Sequence, residues 1–271
     1  MGRSIVFLSD YGLEDEFVGI CHAVIARITP SSAVIDLTHA IPPQDVLRGA
    51  VVLARSIPYL PSDAVVLAVV DPGVGSPRKP VAVETVHGGQ LLVGPDNGLL
   101  SLAWDRRGGA ARAVEISEPK VILEPVSSTF HGRDIFAPAA AHLAAGLSLT
   151  DLGPVVDPAS LAVVTLPAAG VEPGRIDAEV LGVDRFGNVE LSAAPNDLER
   201  AGLTGRTRLE VVARGATTRV RFAATFGDVA EGEFALIVDS FDRLAVVLNR
   251  GSAAEALGVE PGDSVGIQAA G

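Results

Sequence analysis

Ala64-Val65-Val66-Leu67-Ala68-Val69-Val70 runs directly into Asp71-Pro72-Gly73-Val74-Gly75-Ser76-Pro77-Arg78. The first seven residues are apolar and rich in β-branched side chains. A run of this length, bounded by turn residues, reads as a strand buried on both faces of a parallel sheet. The chain then turns polar within one residue. Asp71 stands at the carboxyl end of the strand, the edge at which open α/β sheets bind their ligands. Gly73 and Gly75 allow close backbone approach. Pro72 and Pro77 stiffen the loop, so that Asp71 and Arg78 are held in fixed relation. Read alone, the same residues also make a tight turn, with Asp71 capping a neighbouring amide and Arg78 in water.

The strands on either side extend the α/β pattern. Ile5-Val6-Phe7-Leu8 is a short buried strand ending in the acidic loop Ser9–Glu16, which carries Asp10, Glu14, Asp15 and Glu16. Phe17, Ile20, Cys21, Val24 and Ile28 then recur at helical spacing up to Pro30. Glu14 and Glu16 suit the dipole of that helix; Asp10, directly after the strand, is the better ligand candidate. The loop holds no G-x-G-x-x-G, so a dinucleotide fingerprint is absent. Ala33–Leu37 is a second strand, followed by His39, a loop histidine given no role, and by a helix over Val46–Ala54. After the Asp71–Arg78 loop, Val81–Thr85 and Gln90–Gly94 form two strands around His87-Gly88-Gly89, and Pro95-Asp96-Asn97-Gly98 is a turn. A second dense polar stretch, Ser127-Ser128-Thr129-Phe130-His131-Gly132-Arg133-Asp134, precedes an alanine-rich helix over Ile135–Leu143. His131 thus lies at a helix N-terminus, which disfavours imidazolium. His142, inside the helix, reads as packing or surface.

Four prolines and two glycines between Pro154 and Arg175 mark a linker, placed at 164–174. It separates an N-terminal α/β domain, 1–163, from a C-terminal region, 175–271, made of short β-runs. The expected fold is an α/β sandwich with a mostly parallel sheet, followed by an all-β barrel. Asp184-Arg185-Phe186-Gly187-Asn188 joins two of the β-runs. Asn188 offers a donor and an acceptor to a purine edge, and Phe186 a ring to stack on it. Asn249–Ala254 lies between a strand and a short helix. On spacing alone, each is equally a hairpin turn.

The chain has 271 residues, 48% hydrophobic and 20% charged, enough to pack a core. Its formal net charge of −12 argues against a nucleic-acid surface. The single Cys21 excludes an internal disulfide and a multi-cysteine zinc site. No apolar run approaches a membrane span, and no signal-peptide pattern precedes the first strand, so a cytoplasmic setting is expected.

Six stretches in order carry a resemblance: 9–15, 71–75 with Arg78, 95–98, 129–134, 184–188 and 249–254. Together they resemble the S-adenosyl-L-methionine hydroxide adenosyltransferases, the adenosine-forming S-adenosyl-L-methionine hydrolases related to fluorinase and chlorinase. The resemblance covers both domains. It implies an α/β domain, a β-barrel and a homotrimer with sites at subunit interfaces. The activity it implies is cleavage of S-adenosyl-L-methionine by water to adenosine and L-methionine, with no cofactor and no metal. It places the catalytic set on Asp71, Arg78 and His131. It implies Asp10 for the ribose hydroxyls, Phe186 and Asn188 for adenine, and Asp15, Asp184 and Ser240 for the methionine end. Phe130 matches an aromatic lining position in the halogenases. The short path from Arg78 to Pro95 has no room for the halogenases' extra loop, and they lack the histidine of Thr-Phe-His-Gly; both points favour water over halide. Asp242 departs from the family's usual glycine in Ser-Phe-Gly, which bears on the turn near Ser240.

The implied chemistry suits these residues. A sulfonium leaves without acid assistance, so the protein must supply a positioned, hydroxide-like water in line with the ribose 5′ carbon. Asp71 and His131 can orient or deprotonate it, and Arg78 can hold developing hydroxide. The sequence leaves the final proton acceptor open. Two other readings stand beside this one: a halogenase-like nucleophilic enzyme, and a non-catalytic binder of S-adenosyl-L-methionine or adenosine. An intact Asp71, Arg78 and His131 argues against the binder.

Overall fold

The computed structural model describes residues 2–270. The chain divides into two compact units, Met1–Val164 and Thr165–Gly271. The first runs through β1 (Ile5–Ser9), α1 (Phe17–Ile28), β2 (Val34–Thr38), α2 (Val46–Ser56), β3 (Val65–Val69), β4 (Pro80–Thr85), β5 (Leu91–Pro95), α3 (Ser101–Asp105), β6 (Ala110–Glu115), α4 (Ala137–Ala144) and β7 (Val155–Val156). Its sheet has the order β2-β1-β3-β5-β4-β6-β7. The first four strands are parallel. The hairpin partner β4, then β6 and β7, extend the sheet antiparallel.

The period of two along a strand sorts side chains between two cores. Ile5, Phe7, Val65, Leu67 and Val69 pack with Cys21 and Ile25 of α1 and with Leu143 of α4. Val6, Leu8, Val66, Ala68 and Val70 pack with Leu53 of α2 and with Trp104 of α3. Every residue of β3 is buried, because neighbours cover it on both faces and both edges. β2 is an edge strand and leaves Ile35 and Asp36 exposed. The Asp45 carboxylate starts α2 by accepting from the Arg48 amide at 2.8 Å.

This topology fixes where a ligand belongs. From β1 the chain goes through α1 to β2 on one side, then returns through α2 to β3 on the other. The strand order therefore reverses between β1 and β3, the point at which an open sheet parts its loops into a crevice. Ser9 is in register with Val69. Asp10 and Asp71 thus leave neighbouring strands at the same carboxyl edge.

The second unit contains β8 (Gly170–Glu172), β9 (Arg175–Val183), β10 (Val189–Leu191), α5 (Pro195–Arg200), β11 (Arg208–Ala213), β12 (Ala216–Phe222), β13 (Phe234–Val238), β14 (Leu244–Leu248), α6 (Ala253–Leu257) and β15 (Ser264–Ala269). The order β10-β14-β13-β12-β11-β15-β9 closes on itself through β10–β9 pairing, giving a seven-stranded barrel. Ile176, Ala178, Val180, Leu209, Val211, Val265 and Ile267 fill its interior. The architecture is thus the expected α/β sandwich followed by a β-barrel. β8 lies inside the stretch read as a linker and pairs with β9 outside the closed ring. Among the described residues, no helix is long and apolar enough to cross a membrane.

Candidate active site

Asp71 follows β3 by one residue, Val70, which is fastened from the side: Asn97 Nδ2 donates to the Val70 carbonyl at 2.9 Å. Two successive tight turns, Val74 N to Asp71 O and Ser76 N to Gly73 O, fold the loop back on itself. They return Arg78 to the Asp71 carboxylate. Arg78 Nε donates to Asp71 Oδ1 at 2.9 Å, and Nη2 donates to Oδ2. Nη2 also donates to His131 Nδ1 at 2.7 Å. The guanidinium lies 5.2 Å from the centre of the Phe136 ring. Asp71, Arg78 and His131 therefore form one hydrogen-bonded chain. Arg78 Nη1 is buried and has no hydrogen-bond partner among the described residues.

The second polar stretch brings His131 to this point. Residues 132–136 form a widened helical turn, closed by Ala137 N bonding to the Gly132 carbonyl, with His131 at its start. Asp134, 1% exposed, ties the loop before it. Its carboxylate accepts from the Ser127 amide at 2.8 Å and from Arg133 Nε and Nη2 at 2.6 and 2.9 Å. The two polar stretches touch at Gly75, whose φ of 76° and 2.7 Å approach of a would-be Cβ to the Ser128 carbonyl both require glycine.

The hydrogen bonds set the charge states. A guanidinium only donates, so His131 Nδ1 accepts and the neutral ring carries its proton on Nε2. Burial, and then the charge of Arg78, lower the His131 pKa, against opposing pulls from Asp71 and Asp134. Burial raises the Asp10 pKa, and the charge of Asp71 adds to it, while the Gln44 amide, 2.8 Å from Oδ2, works the other way. Phe130 is buried in a trio of edge-to-face and tilted rings with Tyr11 and Phe17, at 5.1–5.8 Å. The Tyr11 hydroxyl sits over Gly132, where a Cβ would lie 2.1 Å from its oxygen. Asp15 lies exposed ahead of α1.

In the barrel unit, the 184–188 loop and the 249–254 stretch meet through an Ala254 N bond to the Gly187 carbonyl at 3.0 Å. A cavity of about 260 Å³ gathers Asp184, Asn188, Asp239, Ser240 and Phe241. Phe186, 78% exposed, stands on the loop. Asp184 is engaged by its own loop: Oδ1 accepts from the Phe186 and Asn188 amides, and Oδ2 from Asn188 Nδ2 at 2.7 Å. One Asn188 N–H is thus turned to Asp184, leaving the acceptor oxygen and the second N–H of the amide to offer. Asp242 adopts φ 58°, the left-handed conformation glycine would take there, which aspartate tolerates better than most residues.

Three contributors were not legible in the sequence reading. Asp134 ends the 129–134 stretch, where its adjacency to Arg133 was the one available signal. Asn97 and Tyr11 act through contacts distant in sequence. His39, given no role, is buried with Nδ1 2.8 Å from Ser9 Oγ.

The sequence matches the SAM hydroxide adenosyltransferase N-terminal domain over residues 5–153 and the corresponding C-terminal domain over residues 178–266. It is 51% identical to an (R)-S-adenosyl-L-methionine hydrolase from Salinispora tropica, over 98% of this chain and 97% of that one. A fluorinase from Actinoplanes sp. is 27% identical, over 90% of each chain. The crystal structure of an uncharacterized conserved protein from Thermotoga maritima superposes with a TM-score of 0.90 at 37% identity, over 97% of this chain and 99% of that one. With both domains matched in order, and with relatives similar over nearly the full length, the chain belongs to the SAM hydroxide adenosyltransferase family.

Proposed function

We propose that the protein hydrolyses S-adenosyl-L-methionine to adenosine and L-methionine. Water attacks the ribose 5′ carbon, the carbon–sulfur bond breaks, and methionine leaves as a neutral thioether while one proton is released. The observation that carries this reading is the buried, unpartnered Nη1 of Arg78. Asp71 and His131 occupy the other donors of the guanidinium and hold it still. Nη1 remains as a preorganised cationic donor for an oxygen nucleophile that gains hydroxide character. His131, neutral with its proton on Nε2, orients that oxygen as a second donor. Asp71 holds the guanidinium in place and offsets its charge, so that the pair does not repel the sulfonium.

The remaining roles rest on the family's motifs. Asp10 Oδ1 takes ribose hydroxyls, with Oδ2 anchored by Gln44. Phe130 lines the sugar side. Phe186 stacks on adenine, and Asn188 Oδ1 accepts from its amino group. Asp15, Asp184 and Ser240 meet the methionine end. The first unit handles water and ribose and the second adenine; a homotrimer completes each site at a subunit interface. The reaction needs no cofactor or catalytic metal, and its setting is cytoplasmic, where S-adenosyl-L-methionine is made.

Incubation with S-adenosyl-L-methionine and chromatography of the nucleoside tests this. Adenosine and methionine, formed in the presence of a chelator, are expected. Methyl-transfer products, or 5′-chloroadenosine as the main product in chloride, would refute it.

A further inference from the structure

A second cluster of polar side chains lies outside the residues assigned to substrate. His22 on α1, Asp36 on β2 and His39 just after β2 converge, with one ligand-type atom from each lying within 4.8 Å of the others. No sequence spacing announces this cluster, since His22 and Asp36 lie fourteen positions apart on different elements. His22 Nε2 is 2.8 Å and His39 Nε2 3.1 Å from the same oxygen, Asp36 Oδ1. The His39 side chain is only 3% exposed, yet its Nε2 is a buried nitrogen without a properly directed hydrogen bond among the described residues. A buried polar atom of this kind calls for a partner.

The surroundings fit an ion. Two imidazoles and one carboxylate are the ligand types of open zinc sites, where a solvent molecule takes the fourth position. Asp36 and His22 are 43% and 35% exposed, so an ion can enter and keep a water. The other nitrogen of His39 is already held by Ser9 Oγ at 2.8 Å, the supporting contact that orients metal-binding histidines. The Phe7 ring packs against both imidazoles, 4.6 Å from His39 and 6.2 Å from His22, and forms an apolar base. Ligand nitrogens and oxygens around tetrahedral zinc sit about 3.4 Å apart. The two Asp36–imidazole contacts, at 2.8 and 3.1 Å, therefore lengthen by only a few tenths of an ångström to admit one.

We propose that His22, Asp36 and His39 bind a divalent transition ion of the zinc class, at a site distinct from the catalytic set. Its reach extends to the loop that carries Asp10. His39 holds Ser9 through its ring, and its carbonyl accepts from the Gly12 amide at 2.8 Å. An ion clamping His39 thus stiffens the 9–12 turn without touching substrate.

Chelator-stripped, dialysed protein titrated with zinc chloride in a calorimeter is the test. One zinc per chain is expected. His22→Ala, a change on a partly exposed helix position, should weaken binding by about 100-fold or more, since even an outer-shell change costs up to that. An unchanged thermal midpoint of the metal-free variant shows that the fold survives. Cobalt(II) in place of zinc should give the visible absorption of a tetrahedral centre in the wild type and not in the variant. No uptake of zinc by the stripped wild type, or equal uptake by His22→Ala, overturns the proposal.

Discussion

Replacing Arg78 with alanine strands a carboxylate. The Asp71 and Arg78 side chains are 6% and 9% exposed, so the pair is shielded from water. Breaking a buried ion pair from one side costs about 3–5 kcal/mol, because the remaining charge is left uncompensated. Arg78→Ala and Asp71→Ala should each lose that much. The double variant removes both charges and keeps only the packing loss where the guanidinium lay over Phe136. It should therefore be no less stable than the worse single variant, a coupling of about 3 kcal/mol. Urea unfolding followed by tryptophan fluorescence reads this directly. Trp104 is the only tryptophan, is 6% exposed, and belongs to the first unit, so its signal reports that unit. With a slope of about 2 kcal/mol/M, each single variant should shift the midpoint down by roughly 2 M. Additive losses in the double variant, or an Arg78→Ala cost below about 1 kcal/mol, would show the pair to behave like a solvated surface pair and would refute the argument.

The first unit should also lose stability in mild acid. The His131 and His142 pKa values are both lowered in the fold, chiefly by burial. The unfolded chain therefore binds protons first: the stabilisation is complete above about pH 6.5 and declines as pH falls toward the folded values. His131→Asn should flatten that slope in urea titrations between pH 7 and 5, and an unchanged slope would contradict the assignment. Gly132→Ala places a methyl group against the Tyr11 hydroxyl and should cost about 1–3 kcal/mol. Adding Tyr11→Phe should restore part of the loss, since the oxygen is the nearest atom; no recovery in thermal melts would mean the clash lies elsewhere.

What could be read from the sequence was local. The run 64–70 declared a central strand because burial on both faces leaves no polar residue in it, and β3 is that strand. The loop 71–78 carried its own turn chemistry, so Asp71 and Arg78 could be paired in advance. The partnership with His131 spans 53 residues and rested on resemblance until folding placed it. Ala110–Glu115 has too few large apolar residues to announce β6; pairing with β4 makes it a strand. Nothing in the sequence near Asp184 reveals that three donors of its own loop converge on it. His39 reads as an idle loop histidine because Ser9, Asp36 and His22 reach it from three separate elements.

The pairing of the barrel's first strand with its last has a consequence for how the protein is made. β9, the first strand of the ring, pairs with β15, the last, and Arg175 and Gln268 across that pair are 93 positions apart. At about 5–20 residues per second, a ribosome takes several seconds to cover that interval. Throughout it, β9 waits with one edge bare, while the parallel core of the first unit already has all its strands. Closing so long a loop is slow compared with pairing neighbours. A nascent chain stalled before Ser264 carries a finished first unit beside an open sheet, whose free edges at β9 and β11 invite pairing with other chains.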